Sequence, residues 1–161
     1  MAYIYPAPGV SGSQAELSVH YTSISNDATG LDVPALQDVT VNNANDVFTW
    51  TQLDVGSKKN IATTSTNSLS GNIVLDQTAF FGDSGASTGT AAYEGLFGLS
   101  KNKVKVEFNL YFGDTDTPSP GKRIKGFGFI TGLAPSVSAD APVWVSPITI
   151  TVDGDYTVEG E

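Results

Sequence analysis

The sequence predicts a mainly β protein: an antiparallel β-sandwich or barrel-like domain with one short α-helix and a long protruding β-hairpin. Three observations lead there. Apolar and polar residues alternate over much of the chain, as in "VKVEFNLYF" (104–112), which is the period of a half-buried strand. Gly, Ser, Thr, Asn and Asp punctuate these runs every few residues, favouring short strands joined by polar turns. Helical periodicity appears convincingly only once.

At 161 residues the chain is long enough for a single domain, expected to span 1–161. Residues 1–15 read as an extended arm rich in Gly, Pro, Ala and Ser. "ELSVHYTSI" then places Leu17, Val19 and Tyr21 on one side of a strand, and "ISNDATGLDVPA" reads as a loop. "LQDVTV" is a strand, "NNAND" a turn, and "VFTWTQLDV" a second strand with Phe48 and Trp50 on one face. The Thr/Ser-rich run "IATTSTNSLSGNIVLD" is expected to form the second arm of a hairpin joined near Gly56–Asn60. Its outer half is too polar to bury itself, so a hairpin arm over 54–68 is either a surface loop or pairs with neighbouring chains.

"TGTAAYEGLFGLSKNK" carries the helix. Thr90 suits the N-cap, Ala91, Ala92, Leu96 and Leu99 recur at helical spacing, and Lys101 and Lys103 sit near the C-terminus. In the next strand Val104, Val106, Phe108, Leu110 and Phe112 share a face, expected to be core packed against Leu96 and Leu99. "GDTDTPSPG" reads as an exposed loop, "KRIKGFGFITGL" as a glycine-rich strand, and "LAPSVSADAPVW" as a crossover. "SPITITV" and "DYTV" close the sheet across an Asp-Gly turn.

Enzyme chemistry finds little support. There is no cysteine, which excludes thiol catalysis, disulfides and thiolate metal sites. His20 is the lone histidine, and a single histidine on a strand is far more often structural than a general base. "GDSG" (82–85) is too short and polar to mark a protease nucleophile without a histidine region to accompany it. The carboxylates of "DTDTPSPG" and "DGD" have i, i+2 spacing, yet neither continues as a calcium loop, so turn formation is the expected role. Trp50 and Trp144 are expected in the core rather than on a sugar-binding face. No cofactor is expected. No apolar run reaches the ~20 residues of a membrane helix and no signal peptide is read, which suggests a soluble, cytoplasmically made protein.

Charge is unevenly spread. Eight Lys and Arg oppose 17 Asp and Glu, for a formal −9. Residues 1–57 and 126–161 contain no Lys or Arg. Every cation lies in Lys58–Lys59, Lys101–Lys103–Lys105 or Lys122–Arg123–Lys125. Such polarity suits self-association or repulsion of a polyanion, and the basic footprint is too small to read nucleic acid sequence.

Taken in order, "DVTVNNANDVFTWTQLDVGSKKN…SLSGNIVLD", the helix "AAYEGLFGLSKNK", the strands "VKVEFNLYF" and "GKRIKGFGFITGL", and the closing "DAPVWVSPITITVDGDYTVE" resemble the bacteriophage tail tube proteins, or major tail proteins, over about residues 36–159. The resemblance implies a non-enzymatic virion protein, made in the host cytoplasm and placed in the tail. Six copies would form a ring, and rings would stack into a tube that conducts double-stranded DNA without binding it specifically. The implied partners are further copies of the chain and other tail proteins such as a sheath, a terminator, and a baseplate or tip, with no membrane. Candidate lumen-facing residues are then Asp46, Asp54 and Asp76. Candidate inter-subunit hairpin residues are Ser57, Lys58, Lys59, Asn60, Thr63 and Thr64, and candidate inter-ring basic residues are Lys101, Lys103, Lys122, Arg123 and Lys125. A capsid decoration or other virion surface protein, and a carbohydrate-binding module, are the rival readings.

Overall fold

The computed structural model describes residues 14–25, 27, 30–33, 36–113 and 122–160. The expected arm up to residue 13 and the loop 114–121 lie outside the described residues. The elements run β1 (Gln14–Tyr21), β2 (Leu31–Asp32), β3 (Leu36–Gln52), β4 (Val55–Val74), α1 (Gln77–Phe81), α2 (Ala91–Lys101), β5 (Lys105–Gly113), β6 (Lys122–Leu133), β7 (Ser136–Ser138) and β8 (Ala141–Gly160).

All strand pairs among them are antiparallel, in the order β2-β1-β5-β6-β8-β4-β3, with β7 also on β8. This is one sheet, and it curls. Leu17 of β1 shares a small apolar pocket with Leu36 and Val39 of β3, although the two strands stand near opposite ends of the order. The barrel-like body therefore encloses one core.

Alternation in β5 sends Val106, Phe108 and Leu110 into that core with no exposure, while Val104 and Phe112 at the strand's ends are half-buried. Leu96 and Leu99 of α2 belong to the same cluster. The helix leans on β6, where Ser100 Oγ donates to the Ile130 carbonyl at 2.9 Å. Thr90 caps it as expected, its hydroxyl accepting from Tyr93 N–H at 3.4 Å. A break occurs at Gly95, whose φ of 66° only glycine adopts readily, and a Cβ there would strike the backbone of Gly82 and Phe80 at the end of α1.

α1 has no counterpart in the sequence reading. Asp76 forms its N-cap, accepting from the N–H groups of Thr78 and Ala79 at 3.0 Å each. A second capping carboxylate works at long range. Asp27 is 2 % exposed and accepts from Tyr21 N–H (3.0 Å), Gly30 N–H (3.3 Å) and Ala91 N–H (2.8 Å), the last at the start of α2. His20 Nδ1 donates to the Asp27 carbonyl at 2.7 Å, so the lone histidine is a buried structural tie.

Four expectations need correction. "NNAND" does not turn. It continues β3, and the mismatch is absorbed as a bulge in which Thr63 and Thr64 stand opposite Asp46, between the pairs Asn45↔Ser65 and Val47↔Ala62. Long cross-strand pairing overrides the turn preference of asparagine. The hairpin apex is Leu53–Asp54, flanked by Gln52↔Val55, while Gly56 and Ser57 form a second bulge. "DGD" is also a bulge, inside the continuous β8, where Gly126↔Tyr156 gives way to Gly128↔Val152 and Gly154 takes φ 89°. "LAPSVSADAPVW" makes no crossover: β7 turns straight back onto β8, with Ser136↔Val145 and Ser138↔Ala141.

Candidate functional site

The feature that stands apart from the body is the β3–β4 hairpin. At its root β4 pairs with β8 from Val74↔Val145 to Ser68↔Thr151. Among the described residues, the part of β4 from Asn67 to the apex has only β3 beside it, and β3 has only β4 along its whole length. Both outer edges of the projecting part are thus open rows of backbone N–H and C=O. Residues 42–52 and 56–66 are exposed, apart from a half-buried Trp50.

The inter-subunit candidates lie on this projection. Ser57 is in the bulge near the apex. Lys58, Lys59 and Asn60 sit opposite Thr51, Trp50 and Thr49, with Thr49 Oγ1 donating to Asn60 Oδ1 at 2.7 Å. Thr63 and Thr64 fix the bulge. Thr63 Oγ1 donates to the Asp46 carbonyl at 3.2 Å and Thr64 Oγ1 to its carboxylate at 2.9 Å.

The outer half of the hairpin also carries apolar surface that a Thr/Ser count hides. Phe48 and Trp50 stack with ring centroids 5.9 Å apart, Ile61 sits opposite Phe48, and Leu53 stands fully exposed at the apex. Trp50 and Trp144 are both outside the core, against expectation, because their strands extend past the body's buried region.

The three lumen candidates are all exposed, but they do not form one patch. Asp46 is at the mid-hairpin bulge and Asp54 at the apex. Asp76 lies past the far end of the 20-residue β4. The Ala79 N–H, then the Thr78 hydroxyl, hold its carboxyl below the ordinary value and so favour its charge.

The basic candidates divide. Antiparallel pairing lays β6 against the end of β8, so Glu159 meets Arg123 and also Lys125, the latter at 2.8 Å. Lys105 meets Asp153 at 2.7 Å. The Arg123 guanidinium, then Lys125, hold the Glu159 carboxyl below its ordinary value. Glu159 in turn, with the Tyr111 hydroxyl that accepts from Arg123 at 3.1 Å, raises the arginine further. The stretch 126–161, base-free in sequence, is therefore partly neutralised in space. Among the described residues Lys58, Lys59, Lys101, Lys103 and Lys122 form no ion pair.

The fold built from this curled antiparallel sheet and helix pair is shared with solved tail structures. The chain superposes on the tail of an empty gene transfer agent particle of C6 symmetry, with TM-score 0.63 and 13% identity over 89% of this chain and 95% of that one. It matches the SPP1 tail tube with TM-score 0.63 and 14% identity, covering 91% of this chain and 77% of that one. A third similar structure is the sheath/tube terminator of an extracellular contractile injection system, PVC, in its extended state. There TM-score is 0.59 and identity 15%, over 98% of this chain and 99% of that one. No protein-family model matches the chain, and no curated protein matches it in sequence.

Proposed function

We propose that the protein is the tube subunit of a phage tail or a tail-like particle, a structural role without catalysis. Six copies close into a ring, and rings stack into a conduit for double-stranded DNA. The observation that carries this reading is a tail-tube fold over about nine-tenths of the chain, with a hairpin left open on both edges. Open edges of that length call for partner strands, and closure into a ring supplies them. Other tail proteins, such as a sheath, a terminator and a tip or baseplate, would meet the tube's outer wall and ends.

The charges fit such a tube. Arg123 and Lys125 are already engaged by Glu159, which leaves Lys101, Lys103 and Lys122 to meet carboxylates across rings. Of the lumen candidates Asp46 is the best placed, exposed on the projecting sheet, whereas Asp54 and Asp76 fall at the ends of β4, where copies would touch. One inward carboxylate per chain becomes six per layer, and its field reaches ~8 Å at physiological salt, enough to keep phosphates from sticking to the wall.

Negative-stain microscopy and size-exclusion chromatography of the purified protein test the assembly. Rings or tubes are expected, and a strict monomer at high concentration overturns the reading. A map of the tube tests the wall, and a lumen lined mainly by lysines refutes a repelling surface. The carbohydrate-binding reading loses ground to geometry. Lys59, opposite Trp50, stands 15 residues along β4 from Val74, which neighbours Trp144, so about 50 Å separate the two indoles and no shared platform forms.

A further inference from the structure

At the end of the molecule opposite the hairpin apex, α1 and the start of β8 enclose a groove of about 500 Å³ lined by Leu75, Gln77, Phe81, Val143 and Trp144. Three of these are large apolar side chains with substantial exposure: Phe81 52%, Trp144 49% and Val143 46%. The groove is a formed feature. Leu75 N–H donates to the Trp144 carbonyl at 2.9 Å, joining its floor to β8, and the Asp76 cap with the close α1–α2 contact at Gly95 holds the Phe81 wall.

The hairpin presents the opposite shape with the same chemistry. Its outer part projects as an apolar knob: Phe48 (59% exposed) faces Ile61 (53%) across the strand pair with Trp50 stacked on Phe48, and Leu53 (111%) stands beyond them at the apex. Knob and groove cannot meet within one chain. Ile61 lies 13 residues of β4 from Val74, roughly 43 Å in extended strand, and the strand holds them at its two ends.

We propose that the knob of one copy seats in the groove of a second copy, head to tail. Charge selects this occupant. Lys58 and Lys59, without ion pairs among the described residues, flank the knob, and the ionised Asp76 stands beside groove-lining Gln77. Because the two surfaces differ and lie at opposite ends of one strand, each seated copy leaves one knob and one groove free. The contact is heterologous and propagates until it closes. This inference rests on the self-assembly proposed above and assigns its contact residues.

The absence of cysteine makes the test direct. Leu53→Cys and Val143→Cys lie on exposed positions, so both variants should fold. Mixed under mild oxidation they should give a disulfide-linked dimer that neither gives alone, and the double variant should give a ladder. A second readout is Trp144→Ser, expected to raise the concentration at which rings or tubes appear by about tenfold or more, equivalent to ~1.4 kcal/mol per contact. Rings or tubes without the Leu53–Val143 link, or with unchanged assembly of Trp144→Ser, overturn the knob-and-groove contact and leave the tube reading standing. A link between Val143→Cys and Ile4→Cys, the latter in the N-terminal segment outside the described residues, overturns it too, by naming another occupant. A wild-type protein that never assembles removes both readings.

Discussion

Replacing Phe108 with alanine probes whether the body's core is assembled as described. The ring is fully buried in β5, between β1 and β6, and Gly126 faces it across the strand pair Phe108↔Gly126. An aromatic side chain buries roughly 150–250 Å², worth about 4–6 kcal/mol at ~25 cal/mol/Å², and alanine retains a small part of that. The net cost is therefore about 3–5 kcal/mol, and it should lower a urea midpoint by about 2 M for a typical slope of ~2 kcal/mol/M. The neighbouring glycine sharpens the test. A Cβ on Gly126 would sit 3.0 Å from Phe108 Cζ and 3.1 Å from Tyr156 Cβ, so Gly126→Ala alone should destabilise by crowding. In the Phe108→Ala background part of that crowding disappears, and the two costs should fall short of additive by ~1 kcal/mol or more. Far-UV circular dichroism in urea, at concentrations where the protein is monomeric, measures all three variants. A Phe108→Ala cost below about 1 kcal/mol, or strictly additive costs, refutes the assigned face of β5.

Removing the Asp27 carboxylate with alanine should cost about 3 kcal/mol or more, since the N–H groups of Tyr21, Gly30 and Ala91 lose their acceptor; thermal unfolding reads this, and Asp27→Asn should cost less because its amide oxygen still accepts. Excising 46–64 and joining Asn45 to Ser65, which pair directly, through an Asn-Gly turn should leave a folded monomer that forms no tubes; persisting tubes would show the projection to be dispensable. Glu159 has a depressed folded pKa, so its contribution is present above the ordinary 4.5 and is lost as pH falls through the lower folded value; carboxyl titration by NMR should find its midpoint below 4.5, moving upward in high salt, and Glu159→Gln should flatten stability over that interval.

Legibility in the sequence follows the range of the forces involved. The helix from Ala91 and its Thr90 cap are local, and the alternation of Val106, Phe108 and Leu110 is a strict period, so both can be read from the residues alone. The failures share a cause. "NNAND" and "DGD" have turn composition, yet each lies in a strand whose partner continues past it, and only the partner shows that the extra residues form a bulge. The hairpin itself is legible but its apex is not, because Gly56 and Ser57 look more like a turn than Leu53–Asp54. α1 has a signal in "LDQTAFFG", a capping aspartate, two aromatics and a closing glycine, short enough to pass for loop. The Arg123–Glu159 ion pair and the reach of Asp27 to Ala91 bridge 36 and 64 positions, and no local pattern announces them. The groove is illegible for the same reason, since Phe81 and Trp144 meet only once α1 lies beside β8.

The open edges of the hairpin bear on timing as much as on shape. Between the body and the Asp46 bulge, Asn42, Asn43 and Asn45 run beside Thr63, Thr64, Ser65 and Thr66, all exposed and polar, so sliding a neighbour by one residue along this part buries no chemically different set of side chains. Two free copies that collide thus have many near-equivalent registers and little to choose between them. In the assembly proposed above, an existing ring removes the ambiguity, because its edges are already fixed by the bodies that carry them. Growth on a preformed end should outrun initiation in solution, with a lag that vanishes when fragments of finished tube are added. Whatever protein presents the first ring then decides when and where polymer appears, and the subunit can accumulate beforehand without committing itself.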